Sequence, residues 1–306
     1  MLDLDQSPLA SIFGSLQNAP FELAPECKDE LRLLVARTGI KVRLDLEEES
    51  FCLSVDPETK QITFGLATAE RLWAACYGYV VLIGVIQKHG MGILIHLSAD
   101  ESSRRAMELL EWSVKAGITG KYVPWPSDLP KPSASDAHGC DEYAASELYL
   151  CMVGWAILHE IGHLACSHRA SHSQLECIRM EYEADDWASQ WILEKWKQYG
   201  DDSRIFIKRS LGMTLALSMF AGLEAHDRKG GLGTHPDSPE RLLHFLDKFV
   251  PETHGSSLPP EQFAWFAAVV VVQLHLMATG KSCAPTAEFP DYRSFLVDAS
   301  ERLGSP

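Results

Sequence analysis

Six consecutive residues, Leu158-His159-Glu160-Ile161-Gly162-His163, carry the first chemistry legible in this chain. Two histidines four apart share one face of an α-helix, one turn apart. At that spacing two imidazoles reach a single zinc ion, and the glutamate between them is placed to act as general base toward a zinc-bound water. For one histidine on an apolar helix face, a core residue bonded to backbone is the plainer reading. For two that bracket Glu160 it is not, because a carboxylate in an apolar setting is costly without a partner. Met152, Trp155, Ala156, His159 and His163 keep the i, i+3, i+4, i+7 pattern on a helix from about Glu142 to Ser167. Gly162 costs that helix about 1 kcal/mol relative to alanine, a loss that fits another backbone or a substrate passing close by.

A second arm supplies the third ligand. Ser173-Gln174-Leu175-Glu176 fits a capping box, which gives Glu176 a local task. Glu181 and Asp185 follow one turn apart, on a face with Ile178, Ala188 and Ile192. Two like charges at this spacing destabilise a helix unless a cation or donor answers them. Zinc answers Glu181 as the third ligand, and a ligand histidine's ring N–H answers Asp185, which orients it. Glu183 points nearly the opposite way and reads as a solvated partner of Arg179. Two histidines and one glutamate leave a fourth position for water, as a catalytic zinc requires. A protein ligand there would instead make the chain a zinc-stabilised interaction protein without activity.

A third arm follows the glycines at 230, 231 and 233. His235 and Arg241 flank a helix start marked by Ser238 and Pro239. Each is a candidate to stabilise an oxyanion, with a surface His and Arg as the equally weighted plain reading. The glycines lack the strand and lysine of a phosphate-binding loop. His168 and His172 are also four apart, but no glutamate lies between them in the base position, and they read as surface residues.

The elements that must hold these residues are mostly helical. Val42-Leu44-Leu46, Phe51-Leu53-Val55 and Ile62-Phe64-Leu66 alternate with period two, with a turn at Asp56-Pro57, and predict a small antiparallel β element. Helices are predicted from Thr68 to about Gly90 and from about Asp100 to Lys115, with a short strand at Gly92–Ile95 between them. Residues 124–139 hold four prolines and read as an exposed linker, with a flap over the cleft as the alternative. The expected fold is therefore α+β, mostly α-helical, with zincin-like catalytic helices. Residues 1–135 form an N-terminal α+β region and 136–306 a helical zinc-peptidase region, integrated as one domain.

Net charge of −15 argues against nucleic acid as a partner. No signal peptide is visible, and the longest apolar run, Phe263–Val272, stops well short of the roughly 20 residues that span a bilayer. The eight cysteines form no Cys-x-x-Cys pair and read as small core residues of a cytoplasmic protein.

His159-Glu160-x-x-His163, Glu181-x-x-x-Asp185 and His235-Pro236-x-x-x-x-Arg241 together resemble the gluzincin pattern of the CaaX-prenyl-protease and heat-shock-protease clan, without its transmembrane helices. With Ile62-Thr63-Phe64-Gly65, Glu70-Arg71-Leu72-Trp73-Ala74 and the late helix around Trp265, the chain more closely resembles the Lit-type phage-exclusion zinc peptidase family. That resemblance implies His159, His163 and Glu181 on zinc, Glu160 as base, Asp185 orienting a ligand histidine, and His235 and Arg241 by the active site. It also implies an endopeptidase acting on a protein or peptide substrate, a host protein among the candidates, in bacterial anti-phage defence by abortive infection. The ImmA/IrrE group of regulatory peptidases, which cleave repressors, is similar in style and is the alternative. An open zinc site endangers its own cell, so restraint by the 124–139 loop or by His235, released by a phage-derived or other activating partner, is a further expectation.

Overall fold

The computed structural model describes residues 7–45, 53–56, 58–89, 100–119, 122–133, 138–169, 173–193, 203–227, 238–250, 260–278 and 291–304. Helices α1 (Phe13–Leu23) and α2 (Lys28–Thr38) lead into strands β1 (Lys41–Asp45), β2 (Leu53–Asp56) and β3 (Gln61–Gly65). Helices α3 (Leu66–His89), α4 (Glu101–Thr119), α5 (Asp141–Ala165), α6 (Gln174–Leu193), α7 (Ser203–Asp227), α8 (Ser238–Phe249), α9 (Pro260–Ala278) and α10 (Tyr292–Gly304) follow. The fold is α+β and mostly helical, as the periodicity predicts.

Helix α5 is the axis of the core. Cys151 to Gly162 are buried without a break, and a helix apolar all round has to be enclosed. α1, α3, α6 and α7 enclose it. Trp155 donates its indole N–H to Ser189 of α6, and the Tyr149 hydroxyl donates to the Ala69 carbonyl of α3, so the polar groups of these two buried α5 aromatics are satisfied. α3 and α5 are long and apolar enough to cross a bilayer, but their most apolar windows are 83% and 72% buried inside the protein, the position of core helices. The Phe263–Val272 run lies within α9, which packs on α7.

The sheet departs from the expected antiparallel arrangement. Its order is β1-β3-β2, with β3 antiparallel to β2 and parallel to β1. The Asp56 carboxylate accepts the N–H groups of Glu58 and Thr59, and Lys60 takes a left-handed φ of 55°. That turn makes β2 and β3 a hairpin. β1 reaches the other edge of β3 through a longer path containing β2, and a connection of that kind allows the parallel direction. Period two tells which face is buried, not which way a neighbour runs. Among the described residues, β2 is an edge strand.

The proline-rich segment departs too. Trp125 packs against Trp73 and Trp112, Leu129 is buried, Trp112 donates to the Pro124 carbonyl and Ser11 to that of Pro132. Residues 124–133 are thus pinned to α3, α4 and the N-terminal turn, because Trp125 and Leu129 gain apolar cover there. Residues 134–137 and the expected strand at 92–95 lie outside the described residues.

Candidate active site

Helix α5 carries His159, Glu160 and His163; α6 carries Glu181 and Asp185; α8 brings Arg241. The five on α5 and α6 meet because the two helices approach closely at Gly162. A Cβ there would sit 3.1 Å from the Ala184 carbonyl oxygen and 3.2 Å from the Ala184 Cα. The passing backbone expected from the sequence is that of α6.

One donor atom each from His159, His163 and Glu181 falls within 4.8 Å of the others. The two Nε2 atoms are 3.1 Å apart, and the two Glu181 carboxylate oxygens each lie 3.4 Å from one of them, Oε2 from that of His159 and Oε1 from that of His163. Zinc-type bonds of about 2.0–2.1 Å at tetrahedral angles put donor atoms roughly 3.3–3.4 Å apart. The spacing therefore fits a bound cation. Charge points the same way. Among the described residues at the site, Glu160, Glu181 and Asp185 are buried against one arginine, Arg241; the excess of two negative charges matches a divalent ion.

The ring of His159 stands with Nδ1 2.7 Å from Asp185 Oδ1. Asp185 in turn accepts two 2.7 Å bonds from Arg241, through Nε and Nη2, a bidentate clamp. Burial works against the charge on Asp185, yet Arg241 and His159 hold its carboxyl below the usual range. Burial likewise opposes charge on His159, but Asp185 and Glu181 outweigh it and push that imidazole up. His163 is pushed down, by burial first and then by His159. Asp186, the next residue, is bonded by His244 and Lys248 of α8, so α8 is fastened to α6 beside the Arg241 clamp.

Glu160 shares with His159, His163 and Glu181 an open cavity of about 330 Å³, lined also by Leu164, Met180 and Leu53, Ser54 and Val55 of β2. A larger cavity, about 520 Å³, lies between α1, α5 and α7. Its basic groups are paired, Lys208 with Glu147 and Arg209 with Glu26, and burial pushes its Cys151 thiol up to about 11, which leaves it inert.

The structure thus brings together His159, Glu160, His163, Glu181 and Asp185. Arg241 arrives behind Asp185, with Nη1 3.5 Å from Glu181 Oε2, rather than among the residues lining the cavity. His235 lies outside the described residues. Glu183 does bond Arg179, at 2.7 Å, but it also accepts from His168. His168 was read as a surface residue; its side chain is only 8% exposed and its Nδ1 lies 2.9 Å from His163 Nδ1.

A model of the peptidase U49 family matches residues 62–259, well over half of the chain. The chain is also 26% identical over 299 residues to the "Cell death peptidase" of Escherichia coli (strain K12), covering 96% of each. No solved structure matches significantly. The match takes in β3, α5, α6 and α8, and so every element of the site but β2; this chain belongs to the peptidase U49 family, and its chemistry is hydrolysis of peptide bonds.

Proposed function

We propose that this peptidase is a zinc-dependent endopeptidase of gluzincin type, with His159, His163 and Glu181 holding the ion. The observation that carries the reading is the close approach of those three residues' donor atoms, with Glu160 beside them in one open cavity. Nitrogen, nitrogen and carboxylate donors at these distances suit zinc. When bound, zinc supplies Lewis-acid activation of water and of the scissile carbonyl. Glu160 takes the proton of the attacking water as the new C–O bond forms, then gives it to the leaving nitrogen as the C–N bond breaks. Asp185, held by Arg241, fixes the ring of His159. Arg241 acts through that carboxylate, and a direct part in oxyanion stabilisation falls to His235. The edge that β2 presents among the described residues, beside Glu160, suits an extended peptide, which pairs by adding a strand.

The likeness to the cell death peptidase and to the Lit-type family supports a cytoplasmic role in which a protein of the host cell is cut, as in abortive infection, under the control of an activating partner. The test is metal analysis of purified protein together with a proteome-wide search for new protein termini after expression in a bacterium, wild type against Glu160→Gln. Stoichiometric zinc in both, with new termini only in the wild type, is expected. New termini at the wild-type level from Glu160→Gln would refute the mechanism.

A further inference from the structure

The two histidines of the site are not held alike. His159 is oriented by Asp185 and Arg241, which come from α6 and α8. Among the described residues, Nδ1 of His163 faces His168 rather than a carboxylate. The chain from there runs His168 Nε2 to Glu183 Oε2 at 3.0 Å, and Glu183 Oε1 to Arg179 Nη1 at 2.7 Å.

This contact is built by the way α5 ends. Ser167 takes a left-handed φ of 59°, its N–H bonds the Leu164 carbonyl, and the N–H of His168 bonds the His163 carbonyl at 2.9 Å. These are the paired bonds of a Schellman turn, which brings the residue two past the cap against the last turn of the helix. In Schellman ends an apolar pair frequently fills that position. Here it is two imidazoles, at a site where a non-glycine residue bears the left-handed backbone.

We propose that His168 is a positioning residue for metal binding, passing the hold of Glu183 on to His163; the inference rests on the metal reading above. With both rings neutral, one proton arrangement satisfies every bond in the chain. For Nε2 of His163 to offer a lone pair to a cation, its proton must sit on Nδ1. That N–H donates to Nδ1 of His168. His168 then carries its own proton on Nε2 and donates it to the Glu183 carboxylate. The buried His168 thus fixes both the ring plane and the tautomer of His163, as a hydrogen-bonded partner does for other ligand histidines. The reverse arrangement, with the His163 proton on Nε2, would aim an N–H at the other two donors and exclude the cation.

The test is zinc affinity by competition with a chromophoric chelator, on the full chain, with thermal unfolding in excess chelator as the measure of fold. His168→Ala is expected to bind zinc about 10- to 100-fold more weakly. His168→Asn, whose side-chain oxygen can stand where Nδ1 stands, is expected to recover most of that loss without the link to Glu183. Both should unfold near the wild-type temperature when chelator is present. Wild-type zinc affinity in both variants would overturn the relay and leave the metal site standing. Equal loss of affinity in both, tracking equal loss of stability in chelator, would reduce His168 to a structural residue and overturn it too. No stoichiometric zinc in the wild type would overturn the metal reading itself, and the relay with it.

Discussion

Gly162→Ala probes the distance between the two ligand-bearing helices. The added methyl would meet the Ala184 carbonyl oxygen at 3.1 Å, its Cα at 3.2 Å and Trp187 Cε3 at 3.4 Å. Carbon–carbon contacts settle at about 3.5–4.0 Å, so α5 and α6 must part by roughly 0.3 Å or more. Ala184 lies between Glu181 and Asp185 in sequence, so the displacement falls on the ligand and on the carboxylate that orients His159. Metal sites tolerate departures of about 0.2 Å in bond length. The helix itself gains about 1 kcal/mol from alanine, while overpacking costs about 1–3 kcal/mol. Net stability is therefore expected to change by about 0 to 2 kcal/mol, a fall of at most several degrees in Tm for a chain of this size. Zinc affinity, in contrast, is expected to fall about 10- to 100-fold, the range seen when the groups that orient ligands are disturbed. Gly154→Ala is the control. Its methyl would meet the Ala19 carbonyl of α1 at 3.0 Å, an equal crowding on a side of α5 that carries no ligand. Chelator competition and calorimetry on both variants decide the matter. Wild-type zinc affinity in Gly162→Ala, or the same loss in both, would refute the claim that this helix contact sets the site.

Three further outcomes follow from the geometry. Glu181→Ala is expected to abolish tight zinc binding in the same chelator competition; retained wild-type affinity would place the third ligand elsewhere. Arg241→Leu leaves the buried Asp185 without its clamp and should destabilise the fold by about 3–5 kcal/mol in denaturant unfolding; a cost under about 1 kcal/mol would mean that the pair is not buried as described. Glu70 is buried, and burial pushes its carboxyl up against the pull of bonds from Ser7 and Tyr122. A folded pKa raised above its unfolded value of about 4.3 means its contribution is present below that pH and lost as pH rises through the folded pKa. Glu70→Gln cannot ionise, so its stability relative to wild type should grow over that interval and then level off; a difference flat across about pH 4 to 8 would contradict this.

Local rules carried much of the architecture. Period and caps place α4 and α5, and the starts of α6 and α8, to within a few residues, and the i, i+4 rule puts His159 with His163 and Glu181 with Asp185. Where direction or distance along the chain decides, those rules fall silent. β1 and β3 pair in parallel although their alternation is that of any half-buried strand. Arg241 bonds a residue 56 positions away, and nothing in its own surroundings tells an arginine that clamps Asp185 from one that faces the reacting atoms.

His168 is a different case, because its partner lies only five positions back. A glycine after the last helical turn is the usual mark of a Schellman end. Ser167 takes the left-handed backbone in its place, so the mark was missing and the helix was read as running on to Ser167. If the two histidines hold a metal as proposed, their geometry gives the reason for such a partner. The rings of His159 and His163 stand at 85° to each other, with both Nε2 atoms turned to one point. Their Nδ1 atoms then lead away in different directions, and no single carboxylate serves both. His159 faces α6 and takes Asp185 from it. His163 sits in the last turn of α5, and the segment within reach of its Nδ1 is the turn that ends its own helix. A donor pair one turn apart near a helix end therefore draws its two supports from different parts of the chain, one across the helix contact and one from the chain that follows.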